Sequence, residues 1–211
     1  MKTRWNLAPT AGRALVATLV LLSATLLTSA SFAAEPAAAP SSSAAAAAAA
    51  PAPGAWQKHQ YTFAYLGFTS TYSCDGLADQ LKRLLLAAGA RADSKSQPGA
   101  CASPYGRPDK FARADLTFYT LAPLDIGKPP DEKPVNGVWR SVALAPHSPQ
   151  GLQIGDCELV DQFRTQALPM FTTRNVVNHM TCVPHQESGT VIDLRFDVFA
   201  AAPAPGAAGR P

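Results

Sequence analysis

The chain has 211 residues, with 18 Lys+Arg, 15 Asp+Glu and 47% hydrophobic residues. Its formal net charge of +3 comes from the N-terminus: Lys2, Arg4 and Arg13 all precede the first acidic residue, Glu35, and without those three the charges balance at 15 of each sign. A neutral body supplies no net-charge argument for nucleic acid or for an acidic membrane surface, and the pI belongs to the leader.

Residues 1–33 read as a secretory signal peptide. The basic start is followed by an apolar run over 14–27, short for a bilayer span, and Ser31-Phe32-Ala33 offers small residues at the −3 and −1 positions of a cleavage site. No other apolar stretch is long enough to span a membrane. Residues 34–55 are almost all Ala, Pro and Ser and read as a disordered tether, interrupted by Pro36, Pro40, Pro51 and Pro53. Residues 200–211 read as a similar tail. Residues 56–199 remain as one domain, with room for a core.

Within that domain, Tyr, Phe and Thr enrichment predicts a strand over 60–72, with Tyr61, Phe63 and Tyr65 on one face. Ser73 or Asp75 can cap a following helix, whose apolar stripe is Leu77, Leu81, Leu84, Leu85 and Ala88 and whose end is marked by Gly89. Residues 91–110 read as a loop, with Cys101 in it or on a short edge strand. Alternation predicts a strand over 112–121. A polar, Pro-rich seam follows over 123–136. The second half opens with a strand over 137–144. Asp156 is placed to cap a second helix with the stripe Leu159, Val160, Phe163 and Ala167. Strands are expected over 172–183, carrying Cys182, and over 190–199.

The two halves resemble each other. Leu77-Ala78-Asp79-Gln80-Leu81-Lys82 lies over Leu159-Val160-Asp161-Gln162-Phe163-Arg164, 82 residues on, and the strand from Asp115 matches the one from Asp193, 78 residues on. Each half reads strand, Cys-led helix, Cys-bearing segment, strand. The expected fold is therefore α+β, a two-layer sandwich from a duplicated βαββ unit: repeat one over 56–122, repeat two over 137–199, a mostly antiparallel sheet, and two helices on one face.

The four cysteines, Cys74, Cys101, Cys157 and Cys182, fall at matching places in the halves. In an oxidising compartment the expected pairs are Cys74–Cys101 and Cys157–Cys182. The alternatives are a reactive thiol at a helix start and a soft-metal site from His179, Cys182 and His185. Neither has a supporting motif: there is no Cys-x-x-Cys, and no nucleophile elbow, phosphate loop, dinucleotide fingerprint or zinc-protease signature. We therefore assign no catalytic residue, metal ligand or cofactor. Candidate binding residues are Tyr105, Arg107 and Lys110, in a loop mixing aromatic and basic groups, and Trp139, grouped with Tyr61, Phe63, Tyr65 and Tyr119 as a possible aromatic sheet face.

The export signal, the Ala/Pro tether and the four-cysteine domain carry Phe68-Thr69-Ser70-Thr71-Tyr72-Ser73-Cys74-Asp75-Gly76-Leu77 and Pro169-Met170-Phe171-Thr172-Thr173-Arg174-Asn175-Val176. With these features the chain resembles small secreted proteins of unknown function from Gram-negative bacteria, a resemblance that implies no activity. In architecture alone, duplicated strand–helix units resemble metal-dependent lyases and dioxygenases of the glyoxalase type. Those use four strands per unit and ligands on the strands, whereas three strands are counted here and no His/Glu set recurs. The expectation is an exported, periplasmic or secreted, non-catalytic domain that binds a cell-envelope protein or glycan, or forms a homodimer, and does not bind nucleic acid. The competing readings are a secreted enzyme with a cleft between the repeats and a His/Cys metal-binding protein.

Overall fold

The computed structural model describes residues 50–99, 107–124 and 133–203, all within one compact unit. The first described element is β1 (Ala52–Leu66), where Phe63 and Tyr65 are buried and Thr62, Ala64 and Leu66 are exposed, the alternation of a half-covered sheet. β1 starts inside the stretch expected to be tether. Backbone pairing of residues 52–54 with 135–137 needs no side chains, so an Ala/Pro composition does not reveal it. Gly54 is required there, because a Cβ would stand 2.8 Å from the Phe199 ring. The strand also ends earlier than expected, at Leu66.

The helix α1 (Cys74–Ala87) begins where Ser73 Oγ accepts the Gly76 N–H at 3.0 Å. It buries Leu77, Leu81, Leu84 and Leu85 and ends before Gly89, whose φ of +97° favours glycine. A short edge strand, β2 (Lys95–Pro98), follows in the region read as loop, and β3 (Phe111–Pro123) buries Ala112, Ala114, Leu116 and Phe118 on one face. β4 (Val135–Leu144) begins inside the expected seam. Residues 125–132 of that seam lie outside the described residues.

The helix α2 (Cys157–Gln166) follows a 3-10 turn, Ile154–Asp156. Asp156 turns its carboxylate to the Gln153 N–H, at 2.7 Å, instead of capping α2. Pro169 lies in a second 3-10 turn, Leu168–Met170. β5 (Thr173–Asn178) ends before Cys182, shorter than expected, and β6 (Leu194–Ala201) runs on into the expected tail, because residues 194–201 pair with 137–144 of β4.

The six strands form one antiparallel sheet in the order β2-β3-β1-β4-β6-β5. Residues 54–66 of β1 pair with 111–123 of β3, but only 52–54 reach β4. The apolar stripes of both helices and one face of the sheet form a single core around Phe63, Tyr65, Leu81, Phe118, Phe163, Leu194 and Phe196. The opposite face, helix-free among the described residues, has few buried residues among them. Leu121 and Phe199 meet over Gly54 and Gly137, where a Cβ would come within 3.0 Å of both. Among the described residues, no helix is long and apolar enough to cross a membrane.

Candidate functional site

The densest polar cluster joins the approach to α1 with the start of α2. Glu158, buried in the first turn of α2, accepts the backbone N–H of Phe68 at 2.7 Å and of Thr69 at 3.0 Å. Ser70 Oγ donates to the Gly155 carbonyl at 2.7 Å. The Tyr72 hydroxyl donates a short hydrogen bond to Asp156 Oδ1, while Gln80 Nε2 donates to Asp156 Oδ2 at 3.3 Å and to the Gly151 carbonyl at 3.1 Å. Tyr65 donates to the Ser70 carbonyl at 2.9 Å and meets Tyr72 edge-on. Burial holds both phenols well above the ordinary tyrosine range, and the neighbouring carboxylates push them further. Protonated phenols are donors: Tyr72 donates to the Asp156 carboxylate and Tyr65 to the Ser70 carbonyl, while Glu158 and Asp156 also take backbone N–H groups. The cluster thus fastens one half of the molecule to the other.

The Cys157–Cys182 disulfide, with Cα atoms 5.6 Å apart, adds a covalent tie beside it. Cys74 is also disulfide-bonded, and Cys101, its expected partner, lies outside the described residues. A bridge spanning 25 residues contributes about 3.5 kcal/mol in the chain-entropy account.

The aromatic face expected from the sequence is divided between the two sides of the sheet. Phe63 and Tyr65 turn into the core and Tyr61 packs against it, its hydroxyl donating to Gln166 Oε1 at 3.3 Å. Trp56, Tyr119 and Trp139 lie on the helix-free face. Each tryptophan there sits beside an arginine: Arg91 stacks 3.6 Å from the Tyr119 ring centre and 5.4 Å from that of Trp56, and Arg174 stacks 4.1 Å from that of Trp139. Trp139 also leans on Phe199. Pairing across the ladders sets Trp56 against Leu121 and Trp139 against Phe199.

These residues carry a signal that was available in the sequence: Gly54-Ala55-Trp56 and Gly137-Val138-Trp139, and Arg91 and Arg174, each recur at a spacing of 83. The first motif straddles the boundary drawn for the tether, which hides it.

Among the described residues, one side of β4 is left largely unpaired. Asn136 accepts from the Ala202 N–H on the β6 side, while Ala143 accepts from Ser148 Oγ at 3.2 Å on the other. Even-numbered residues of β4 therefore aim their backbone groups at β6, and Trp139, Ser141 and Ala143 aim theirs away from it. Beyond Gly137 no strand among the described residues pairs with that side. A cleft of about 260 Å³ runs along it, lined by Ala87, residues 140–143, Ser148 and Pro149. A second cleft, of about 250 Å³, contains residues of both halves, with Arg91 and Arg140 as its charged groups. There Arg140 donates to the Ala87 carbonyl at 3.2 Å, and Arg91 is paired with Asp93.

Of the candidate binding residues, Tyr105 lies outside the described residues. Arg107 and Lys110 are exposed at the end of β3, and half-buried Trp139 stands on β4. They are not brought together: Trp139 stands two residues beyond Gly137, the ladder partner of Ala52, and Lys110 is bonded to Gly67, at opposite ends of β1. The candidate metal residues are also dispersed. The Cys182 sulfur is bonded to Cys157, His179 Nδ1 lies 3.5 Å from Asp193, and His185 sits edge-on to Phe68. Among the described residues no three such ligands gather. His59 Nε2 is 2.8 Å from Thr120 Oγ1, and burial lowers its pKa below the ordinary histidine value.

Compared with known proteins, the chain matches no protein-family model, no curated protein and no solved structure.

Proposed function

We propose that this is an exported, disulfide-tied binding domain of the cell envelope, periplasmic or secreted, and that it takes an extended segment of an envelope protein along the open edge of β4. The observation that carries this reading is the unequal pairing of β4: eight rungs to β6 over 137–144, three to β1 over 135–137. The backbone groups left on the open side match another extended chain better than any other partner, and the flanking cleft leaves room for its side chains. A glycan stacked on Trp139 is less well supported, because the Arg174 guanidinium already stands over that ring.

The same reading treats the halves as copies of one βαββ unit. Its support is the strand order, which runs β2-β3-β1 from one end and β5-β6-β4 from the other, together with the recurrence of Gly-x-Trp and of the stacked arginine.

The test is photo-crosslinking in the cell envelope from position 140, beside the open edge, in the parent and in Ala143→Pro. Proline at 143 deletes an N–H that faces the open edge and leaves the β6 ladder intact. The expected result is a crosslinked envelope protein that disappears in the proline variant. Crosslinks unchanged by the proline, or none, overturn the edge as the site, and a crosslink to a second copy of the chain makes it a self-association edge.

A further inference from the structure

The other end of β1 carries a different kind of surface. Three of the exposed large apolar side chains gather there: Phe111 is 60% exposed, Phe68 48% and Leu66 40%. Leu66 and Phe111 are cross-strand partners, and Phe68 follows two residues beyond the strand end. The segments bearing them are held firmly. Gly67 N–H donates to the Lys110 carbonyl at 2.9 Å, and Tyr72 and Asp109 exchange backbone hydrogen bonds at 3.2 and 3.0 Å. These rings are therefore presented by a paired backbone, anchored behind by the Glu158 carboxylate on the N–H groups of Phe68 and Thr69.

Around the apolar group stand Arg107, Lys110 and Arg113, all exposed. Arg113 shares the helix-free face with Phe111, two residues along β3. Two acids stand near them: Asp109 turns Oδ1 toward the Phe111 N–H, and Asp115, two residues beyond Arg113 on β3, accepts from Thr62 Oγ1 at 2.7 Å. The chain is close to neutral without its leader, so this basic character is local.

We propose that this end of the sheet is a membrane-contacting foot, in which Phe111, Phe68 and Leu66 enter the interfacial zone of an anionic lipid leaflet while Arg107, Lys110 and Arg113 meet its phosphates. Exposed aromatic and aliphatic groups rimmed by cations suit that zone, where apolar burial and attraction to anionic headgroups add. A second copy of the chain fits less well. A two-fold contact sets each patch against itself and so brings like charges together. Three side chains also fall well short of the roughly 800 Å² per partner in a standard interface. The foot lies at the opposite end of β1 from the open edge of β4 and does not depend on that edge having a partner.

The experiment is co-sedimentation of the exported chain with vesicles of phosphatidylglycerol and phosphatidylethanolamine, against vesicles of phosphatidylcholine alone, at low and high salt. Phe111→Asp and the triple variant Arg107→Gln/Lys110→Gln/Arg113→Gln are measured alongside in the same N-terminal form, so any contribution from residues before β1 cancels. Both variants alter exposed side chains, and an unchanged melting temperature confirms that they fold. The expected result is binding to the anionic vesicles that weakens at high salt and falls about tenfold or more in each variant. Binding that ignores lipid charge, or is unchanged in Phe111→Asp, overturns the proposal. So does light scattering that shows a dimer lost in Phe111→Asp, which assigns the patch to a second copy. Absence of any crosslink from position 140 in the parent chain, with vesicle binding intact, removes the β4 reading alone.

Discussion

The two halves use similar helices to different ends. In α2, Gln162 and Gln166 lie along β1 and act as a substitute strand: Gln162 exchanges hydrogen bonds with the N–H and carbonyl of Leu66 at 2.9 and 2.6 Å, and Gln166 with those of Ala64 at 3.3 and 3.0 Å. In α1 the residue aligned with Gln162 is Gln80. It reaches past β4 to Gly151 and Asp156, and Leu84, aligned with Gln166, is buried in the core. Among the described residues, one edge is thus capped by amides from the opposite helix, and the other meets a serine hydroxyl at Ala143. Carboxylates differ in the same way. Asp75, next to Cys74, is exposed, whereas Glu158, next to Cys157, is buried on backbone donors. At the corresponding places α1 turns Asp75 to solvent and Leu84 into the core, and it holds the second half through Gln80.

The largest expected effect comes from the carboxylates. Glu158→Ala leaves the N–H groups of Phe68 and Thr69 without their acceptor and is expected to cost about 2–3 kcal/mol. Asp75→Ala removes a surface charge near a helix start and is expected to cost about 0.5 kcal/mol. Urea unfolding of both variants measures the contrast, and equal losses would mean that the buried carboxylate adds nothing beyond the helix dipole.

A smaller effect is expected from the amides. Gln162→Ala with Gln166→Ala should cost about 1–2 kcal/mol, since these bonds are partly open to water, which replaces them in part. The amides of Ala64 and Leu66 should then exchange hydrogen faster, bringing β1 to the condition of the open edge of β4. If their exchange is unchanged, the glutamines are not what caps that edge.

The mildest prediction concerns pH. Tyr72 has a folded-state pKa raised above its ordinary value of 10.0 by burial and by its hydrogen bond to Asp156. A raised value means that the contribution to stability is fully present below pH 10 and is lost as pH rises further, because the unfolded chain ionises first. Tyr72→Phe should therefore be somewhat less stable at neutral pH and less sensitive to alkali. A melting temperature that falls equally in both chains above pH 10 would place the alkaline sensitivity elsewhere.

Much of the local structure was legible in the residues. Leu77, Leu81, Leu84 and Leu85 repeat at helical spacing, and Ile192, Leu194, Phe196 and Val198 alternate, because burial on one side of a regular backbone leaves that period behind. The ends of β1 and β6 were not legible. Ala52, Gly54, Ala200 and Ala201 pair through backbone atoms, and a composition rule reads them as linker. Grouping Tyr61, Phe63 and Tyr65 with Tyr119 and Trp139 failed for a related reason: alternation says which residues share a face within one strand, but only register says which faces of two strands coincide.

By itself the sequence determined two apolar-striped helices, alternating strands and cysteines at helix starts, since each is written in local period or position. Tertiary structure alone decided that β1 and β4 meet over three residues, that Gln162 caps an edge while Gln80 does not, and that Leu66, Phe68 and Phe111 gather at one end. Those outcomes depend on the stagger between two strands, and stagger is set by long-range pairing that leaves no period in either strand.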